Sequence, residues 1–231
     1  MKKNILLIGG STGIGRQIAE DLMAENDVIV ASRHRNDLPE AIKHFEFDVM
    51  KDDISALELP EKIDAFIYCP GSIDLKPFKM LKPENFEKEM QLNFFGLVRS
   101  VHGILDKLKA ADQASLIFFS TVAVKIGMPF HTSIAASKGA IEGFAKSLAA
   151  EYAPSFRVNV IAPSLTETPL ASKLLNSEEK KKKMENRHPL KRVGTSADIA
   201  KLAEFLISDE SSWMTGQVIG LDGGLSTINV N

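Results

Sequence analysis

The sequence predicts an α/β protein: a single doubly wound domain in which one seven-stranded parallel sheet carries helices on both faces. Two observations predict it. Apolar runs of about five residues alternate with longer amphipathic stretches, the pattern of β-α units whose strands are buried on both sides. The 231 residues are 44% hydrophobic and 25% charged, which sits at the globular average and excludes long disorder, collagen-like repeats and a coiled coil. Such a length fits one large domain or two small ones. No internal repeat or low-complexity linker divides it.

The candidate strands, in order, are Asn4 to Ile8, Asp27 to Ala31, His44 to Phe47, Ala65 to Cys69, Leu116 to Ser120, Val158 to Ala162 and Val218 to Leu221. Behind the first strand a helix is expected to open at Arg16. The intervals from Arg35 to Lys43 and from Lys51 to Lys62 are polar and brief, so helices there should be short or partly lost. From Phe86 onward Phe86, Met90, Phe94, Leu97, Val101 and Leu108 recur at helical spacings, which predicts a helix with one buried stripe, and Asn93 falls on that stripe. In the next long helix Ile134, Ile141, Ala145 and Leu148 form a second stripe with Lys138 inside it. A lysine on a buried stripe must find a partner or lose its charge. The charge run from Glu178 to Lys183, in the polar segment after Pro169, reads as a solvated helix.

A net charge of −2 carries no electrostatic footprint for nucleic acid. The first apolar run stops at Gly9-Gly10, too short for a signal-peptide core or a membrane span. The lone Cys69 cannot close an intrachain disulfide. Together these give the expectation of a cytoplasmic protein with no membrane, nucleic-acid or metal partner.

The first strand runs directly into Gly9-Gly10-Ser11-Thr12-Gly13-Ile14-Gly15 and then a helix. Glycines at this junction let the backbone approach a pyrophosphate, whose charge is met by the amides of the helix N-terminus. After the second strand, where an acidic residue would grip a ribose 2′-hydroxyl, the chain has Ser32-Arg33-His34-Arg35. A hydroxyl and two guanidiniums suit a 2′-phosphate, so NADP(H) is favoured over NAD(H).

With these residues in view, the chain resembles the short-chain dehydrogenase/reductase family, and most closely its 3-oxoacyl-carrier-protein reductase type. The likeness covers nearly the whole length and implies one Rossmann-type domain over residues 1–231 with a substrate lid around 169–188. Asp48-Val49 matches the family's adenine-contacting pair, Gly71 its loop after the fourth strand, and Asn93 in Asn93-Phe94-Phe95-Gly96 its helix asparagine. The segment from Pro163 to Thr168 matches the nicotinamide loop, where Pro163, Thr166 and Thr168 would line the cofactor and Thr168 would hold the carboxamide. Pro189 to Gly194, Thr215-Gly216-Gln217 and Asp222-Gly223-Gly224 complete the pattern. The resemblance further implies a small-molecule substrate, with Lys180 to Lys183 as a weak hint of an acidic carrier. It also implies a homotetramer or homodimer built on the two long helices, whose extra apolar residues include Phe95, Val98, Ala140 and Phe144.

In this family a hydride passes between nicotinamide and a carbonyl or alcohol carbon while a tyrosine handles the proton, a lysine four residues later binds the ribose, and a serine thirteen residues before the tyrosine holds the oxygen. Counting back from Lys138 puts Ile134 at the tyrosine position and Thr121 at the serine position. Threonine still donates a hydrogen bond; isoleucine handles no proton. Neither Tyr68 nor Tyr152 is followed by a lysine four positions on, the family's Asn-Asn-Ala-Gly is altered to Tyr68-Cys69-Pro70-Gly71, and its Pro-Gly to Pro163-Ser164. Three readings stay open. His131, seven residues before Lys138 where enoyl reductases of the superfamily carry their tyrosine, supplies the proton; or Lys138 works through a water held by Asn93 and Thr121; or the chain binds nucleotide without catalysis.

Overall fold

The computed structural model describes residues 2–229. Six strands come first along the chain: β1 (Asn4–Ile8), β2 (Asp27–Ser32), β3 (Lys43–Glu46), β4 (Ala65–Tyr68), β5 (Ala114–Phe119) and β6 (Phe156–Pro163). A short ribbon of β7 (Thr166–Glu167) and β8 (Gly194–Thr195) follows, and β9 (Val218–Leu221) is last. The seven longer strands form one parallel sheet in the order β3-β2-β1-β4-β5-β6-β9, as the sequence predicts. Its central strands are apolar without alternation because both faces are covered: Ile5 to Ile8 of β1 and all of β4 and β5 are buried. One layer of core joins α1 (Gly13–Leu22) through Ile18, Ala19 and Leu22 to Val28, Val30 and Ile67. The other joins Leu97, Val101, Ile141 and Leu148 to Phe66, Leu116 and Phe118. The strand order reverses between β1 and β4, so a crevice opens at their C-terminal ends, the position where such sheets bind ligands.

Several boundaries differ from the sequence expectation. Helix α1 starts at Gly13 rather than Arg16, because the Thr12 carbonyl already accepts the Arg16 amide and brings the last glycines into the first turn. β5 and β6 begin two residues earlier than their apolar runs, at Ala114 and Phe156. Polar side chains hid those ends. Ser115 is buried because its hydroxyl donates to the Leu206 carbonyl, and Arg157 because its guanidinium donates to Leu206, Ser208 and Ser211. Burial pulls the pKa of Arg157 down.

The helix expected from Phe86 is four pieces: α2 (Pro83–Met90), a π turn over Gln91–Phe95, α3 (Gly96–Gly103) and α4 (Leu105–Lys109). Phe86, Met90 and Phe94 are only half-buried, and the stripe closes from Leu97 onward. On the same side of the sheet lie α5 (Val122–Ile126) and the long α6 (Thr132–Tyr152), whose buried face contains Ile134, Lys138, Ile141, Ala145 and Leu148 as its spacing predicts. The two brief intervals hold only the single 3-10 turn Ile54–Ala56. After Pro169 come a 3-10 turn, Pro169–Leu174, and α7 (Glu178–Arg187), which buries no residue, so the charge run is a solvated helix. Finally α8 (Ser196–Ile207) packs beside α1 and is closed at its N-terminus by a Thr195/Asp198 capping box. Among the described residues no helix is long and apolar enough to cross a membrane, and no group of ligating side chains could hold a metal ion.

Candidate active site at the switch point

Parallel register sets the site. Ile8 lies beside Ala31 on one side and Tyr68 on the other, so the segments leaving β1, β2 and β4 emerge together. Gly9 turns with φ +77°, and a Cβ there would sit 3.2 Å from the Pro70 ring. Gly15 is closer still to its neighbours: a Cβ would lie 2.8 Å from the Gly9 carbonyl and 3.1 Å from Cys69 Sγ. The turn from Gly9 to Gly15 is therefore pressed against the Cys69-Pro70 segment. Ser11 is buried and accepts from the Asn36 amide, whereas Thr12 is exposed at the N-cap with its hydroxyl bonded to no amide. Ile14 packs half-buried on the core while the first amides of α1 face the crevice end.

At the far end of this crevice stands the β2 loop. The Ser32 hydroxyl donates to the His34 carbonyl and accepts from His44 Nε2, so its one proton orders the loop. Arg35 is spent on the Pro39 carbonyl. Arg16 is held by Glu20 and Asp37, but Arg33 is exposed and has no carboxylate partner among the described residues. Asp48 accepts the Met50 amide and pairs with Lys51, while Val49 is buried under α3 with its carbonyl accepting from Arg99.

A second cluster of the predicted site residues is built by α2, the π turn and α6. Asn93 is fully buried; its Nδ2 donates to the Glu89 carbonyl at 3.0 Å and to Glu89 Oε2 at 2.7 Å. Among the described residues its Oδ1 has no partner. A Cβ at Gly71 would lie 3.6 Å from both Asn93 Oδ1 and Lys138 Nζ, so the missing side chain leaves one small space lined by an orphan acceptor and an ammonium donor. Burial draws the Lys138 pKa down to about 8 against the opposing pull of the Glu89 charge, and pushes the neighbouring Cys69 thiol up to about 12. Thr121 caps α5, accepting the Ala123 amide and keeping its own proton to donate. Ile134 is buried one turn before Lys138. His131, at the N-cap of α6, donates from Nδ1 to the Pro129 carbonyl, which leaves Nε2 free. The geometry thus brings Gly71, Asn93 and Lys138 together; it gives His131 no bonded contact with them.

The sequence reading missed Glu89, Ser72 and the task of Tyr68. Glu89 is buried and also accepts from the Ser72 hydroxyl. Tyr68 donates its hydroxyl to the Leu92 carbonyl, which the π turn has released from the helix, and it fills the place a side chain at Gly96 would need. Burial raises its pKa, and Tyr152 is stacked on Phe156. Tyr68 is thus spent on Leu92, and Tyr152 stands at the far end of α6, fourteen residues beyond Lys138.

In the loop after β6, Pro163 ends the strand, and buried Thr166 donates to the Ser164 carbonyl. Thr168 caps the following turn by accepting the Ala171 amide, and its side chain lies 3.4 Å from where a Gly13 Cβ would be. This joins the loop to the glycine turn. Ser164, where the family has glycine, donates to Nε2 of buried His188, whose Nδ1 donates to the Met184 carbonyl; the end of α7 is tied to the loop through that ring.

The chain matches the family model described as enoyl-(acyl carrier protein) reductase over residues 9–226. It is 33% identical to a tropinone reductase homolog of Arabidopsis thaliana, covering 98% of this chain and 93% of that protein. Identity to the 3-oxoacyl-[acyl-carrier-protein] reductase of Thermotoga maritima is 30%, over 96% of this chain and 97% of the relative. Among solved structures, the ligand-free aldohexose dehydrogenase of Thermoplasma acidophilum superposes with a TM-score of 0.89 at 26% identity, covering 100% of this chain and 97% of that one.

Proposed function

Since this chain belongs to the short-chain dehydrogenase/reductase family, we propose that it is an NADPH-dependent oxidoreductase acting on a carbonyl or activated alkene with an atypical proton donor. The observation that carries the reading is the space beside Gly71, where the orphaned Asn93 Oδ1 and the Lys138 ammonium face one another. A buried acceptor left without a partner is costly unless a ligand satisfies it. The residues fit a dinucleotide. The amides at the start of α1 would meet the pyrophosphate, Lys138 would hold the ribose hydroxyls, Thr168 the carboxamide, and Asp48-Val49 the adenine. When bound, the reduced nicotinamide supplies a hydride. Thr121 then offers its proton as a hydrogen bond to the substrate oxygen, and His131 Nε2 is the free nitrogen on the same face of α6 as Ile134 and Lys138. The direct test is NADPH oxidation against a panel of ketones and enoyl thioesters, one of them carrier-bound.

Cofactor choice rests on Arg33. A guanidinium paired with the 2′-phosphate contributes ~1.5 to 3 kcal/mol. Arg33→Ala should therefore weaken NADPH binding by about 10- to 150-fold and leave NADH nearly unchanged in fluorescence titrations. Equal affinity of the unmutated protein for both cofactors would remove the assignment. Assembly follows from an apolar face: Phe95 is 41% exposed, with half-buried Val98, Ala140 and Phe144 on the adjoining helices. A dimer or tetramer should be seen by light scattering at micromolar concentration, and a monomer would count against it.

A second reading, a catalytically silent NADP(H)-binding subunit or redox sensor, is favoured by the engagement of Tyr68, by the placing of Tyr152 at the far end of α6 and by Ile134 one turn before Lys138. It predicts quenching of cofactor fluorescence with no turnover across the same panel.

A further inference from the structure

We propose that Glu89 is a positioning residue of this site: its buried carboxylate fixes the Asn93 amide so that Oδ1 is turned into the cleft, and it supplies the buried negative charge that opposes the desolvation of the Lys138 ammonium. The proposal rests on the reading of Lys138 as the ribose-binding lysine. Geometry supports the first half. Asn93 Nδ2 is held at both the Glu89 carbonyl and Oε2, which leaves the amide one orientation and sends the unpartnered oxygen towards Gly71. Ser72, the residue after Gly71, donates to the same Oε2, so a single carboxylate ties the cleft loop to α2 and to the π turn. Both bonds are accepted, as a carboxylate requires.

For the second half, the charges around Lys138 decide. Burial works against its ammonium, and among the described residues only Glu89 and the Cys69 thiol act on it electrostatically. The thiol is neutral at physiological pH, since burial pushes it up to about 12. Tyr68 on β4 is neutral and bonded to Leu92. Glu142, one turn further along α6, is taken by Ser120 of the segment leaving β5, and Arg157 of β6 is turned to the segment from Leu206 to Met214. Lys125 of α5 is exposed and bonds Ser226. Glu89 is thus the one anion that offsets the desolvation of Lys138.

The test follows the lysine itself, without cofactor. In protein with ¹³Cε-labelled lysine, the Lys138 resonance is assigned by its absence in Lys138→Arg, and its midpoint in the unmutated protein should lie near 8. Glu89→Gln keeps the size and an acceptor oxygen but removes the charge, and should lower that midpoint by about one pH unit or more. An unchanged midpoint overturns the proposal. Should the variant fail to fold, the carboxyl carbon of Glu89 in the unmutated protein must show a titration step coincident with that of Lys138, because coupled groups report each other's ionisation; a flat signal there is equally decisive. A second arm measures NADPH affinity. As pH is raised, Glu89→Gln should lose NADPH affinity at a lower pH than the unmutated protein does. Absence of NADPH binding in every variant at every pH would sink the cofactor reading and leave the titration result standing.

Discussion

Lys138→Met should bind NADPH at least 100-fold more weakly than the unmutated protein, yet resist urea better. The two effects share one cause. Lys138 is buried inside the α6 stripe, and desolvation lowers its pKa from 10.5 to about 8 even with the Glu89 charge opposing. A folded-state pKa below the unfolded one means that the unfolded chain binds the proton more tightly. The penalty is complete below pH 8, fades as pH rises from 8 towards 10.5, and is gone above. At pH 7 it amounts to something on the order of 3 kcal/mol. Because that shift already includes the attraction of Glu89, replacing the ammonium with an apolar group of similar length removes the penalty. Glu89 meanwhile keeps its bonds from Asn93 and Ser72. The stability gain should shrink from pH 8 upward and vanish near pH 10.5, a dependence that separates it from better packing. On the proposed reading, in which Lys138 holds two ribose hydroxyls, the binding loss follows from removing charge-assisted hydrogen bonds that each contribute ~1.5 to 3 kcal/mol. A variant that is less stable than its parent at pH 7, or that retains NADPH affinity, would contradict the assignment of Lys138 as a strained functional group. Such a trade is expected where a site keeps a charge the core would reject.

The same residue illustrates what was legible in the sequence. Lys138 stood out because its neighbours on the stripe are apolar, and the spacing that flagged it also put Asn93 on a buried face. The five inner strands could be read because a parallel strand buried on both faces is a continuous apolar run, while the edge strands β3 and β9 are at most half-buried; β1 and β9 were legible to the residue. Legibility failed where a polar side chain is satisfied by something remote in sequence. Ser115 and Arg157 concealed strand ends because their partners lie around Leu206 to Ser211. No periodicity could announce the π turn, where the Tyr68 hydroxyl, remote in sequence, donates to the Leu92 carbonyl. Glu89 had a local signal, standing four residues before Asn93 and thus on the same helical face, but a lone carboxylate among Glu84, Glu87 and Lys88 reads as solvated surface. The family resemblance drew the eye to the positions it names, and Glu89 and Ser72 are not among them.

His131→Ala should lower turnover by ~10²-fold or more while cofactor affinity holds, if the histidine is the proton donor. The argument starts from its tautomer. Nδ1 donates to the Pro129 carbonyl, so a neutral ring has Nε2 bare, and only the imidazolium can donate from Nε2. Reduction by this route therefore requires the imidazolium form of His131 and is lost when that form is deprotonated. His131 stands two helical turns, about 10 Å along the axis, before Lys138, with Ile134 between them. If Lys138 and a water suffice, His131→Ala will be nearly silent and the pH profile will follow the lysine instead, with loss above about 8. Ile134→Tyr tests the premise common to both routes. It places a phenol one turn before the ammonium, whose charge lowers a phenol's pKa. Overpacking a side chain that is only 7% exposed should cost about 1 to 3 kcal/mol of stability. A gain in ketone reduction despite that cost would mean the pocket retains the geometry for a carbonyl and lacks only its acid. No turnover in either protein, with NADPH still tightly bound, would instead decide for the silent subunit.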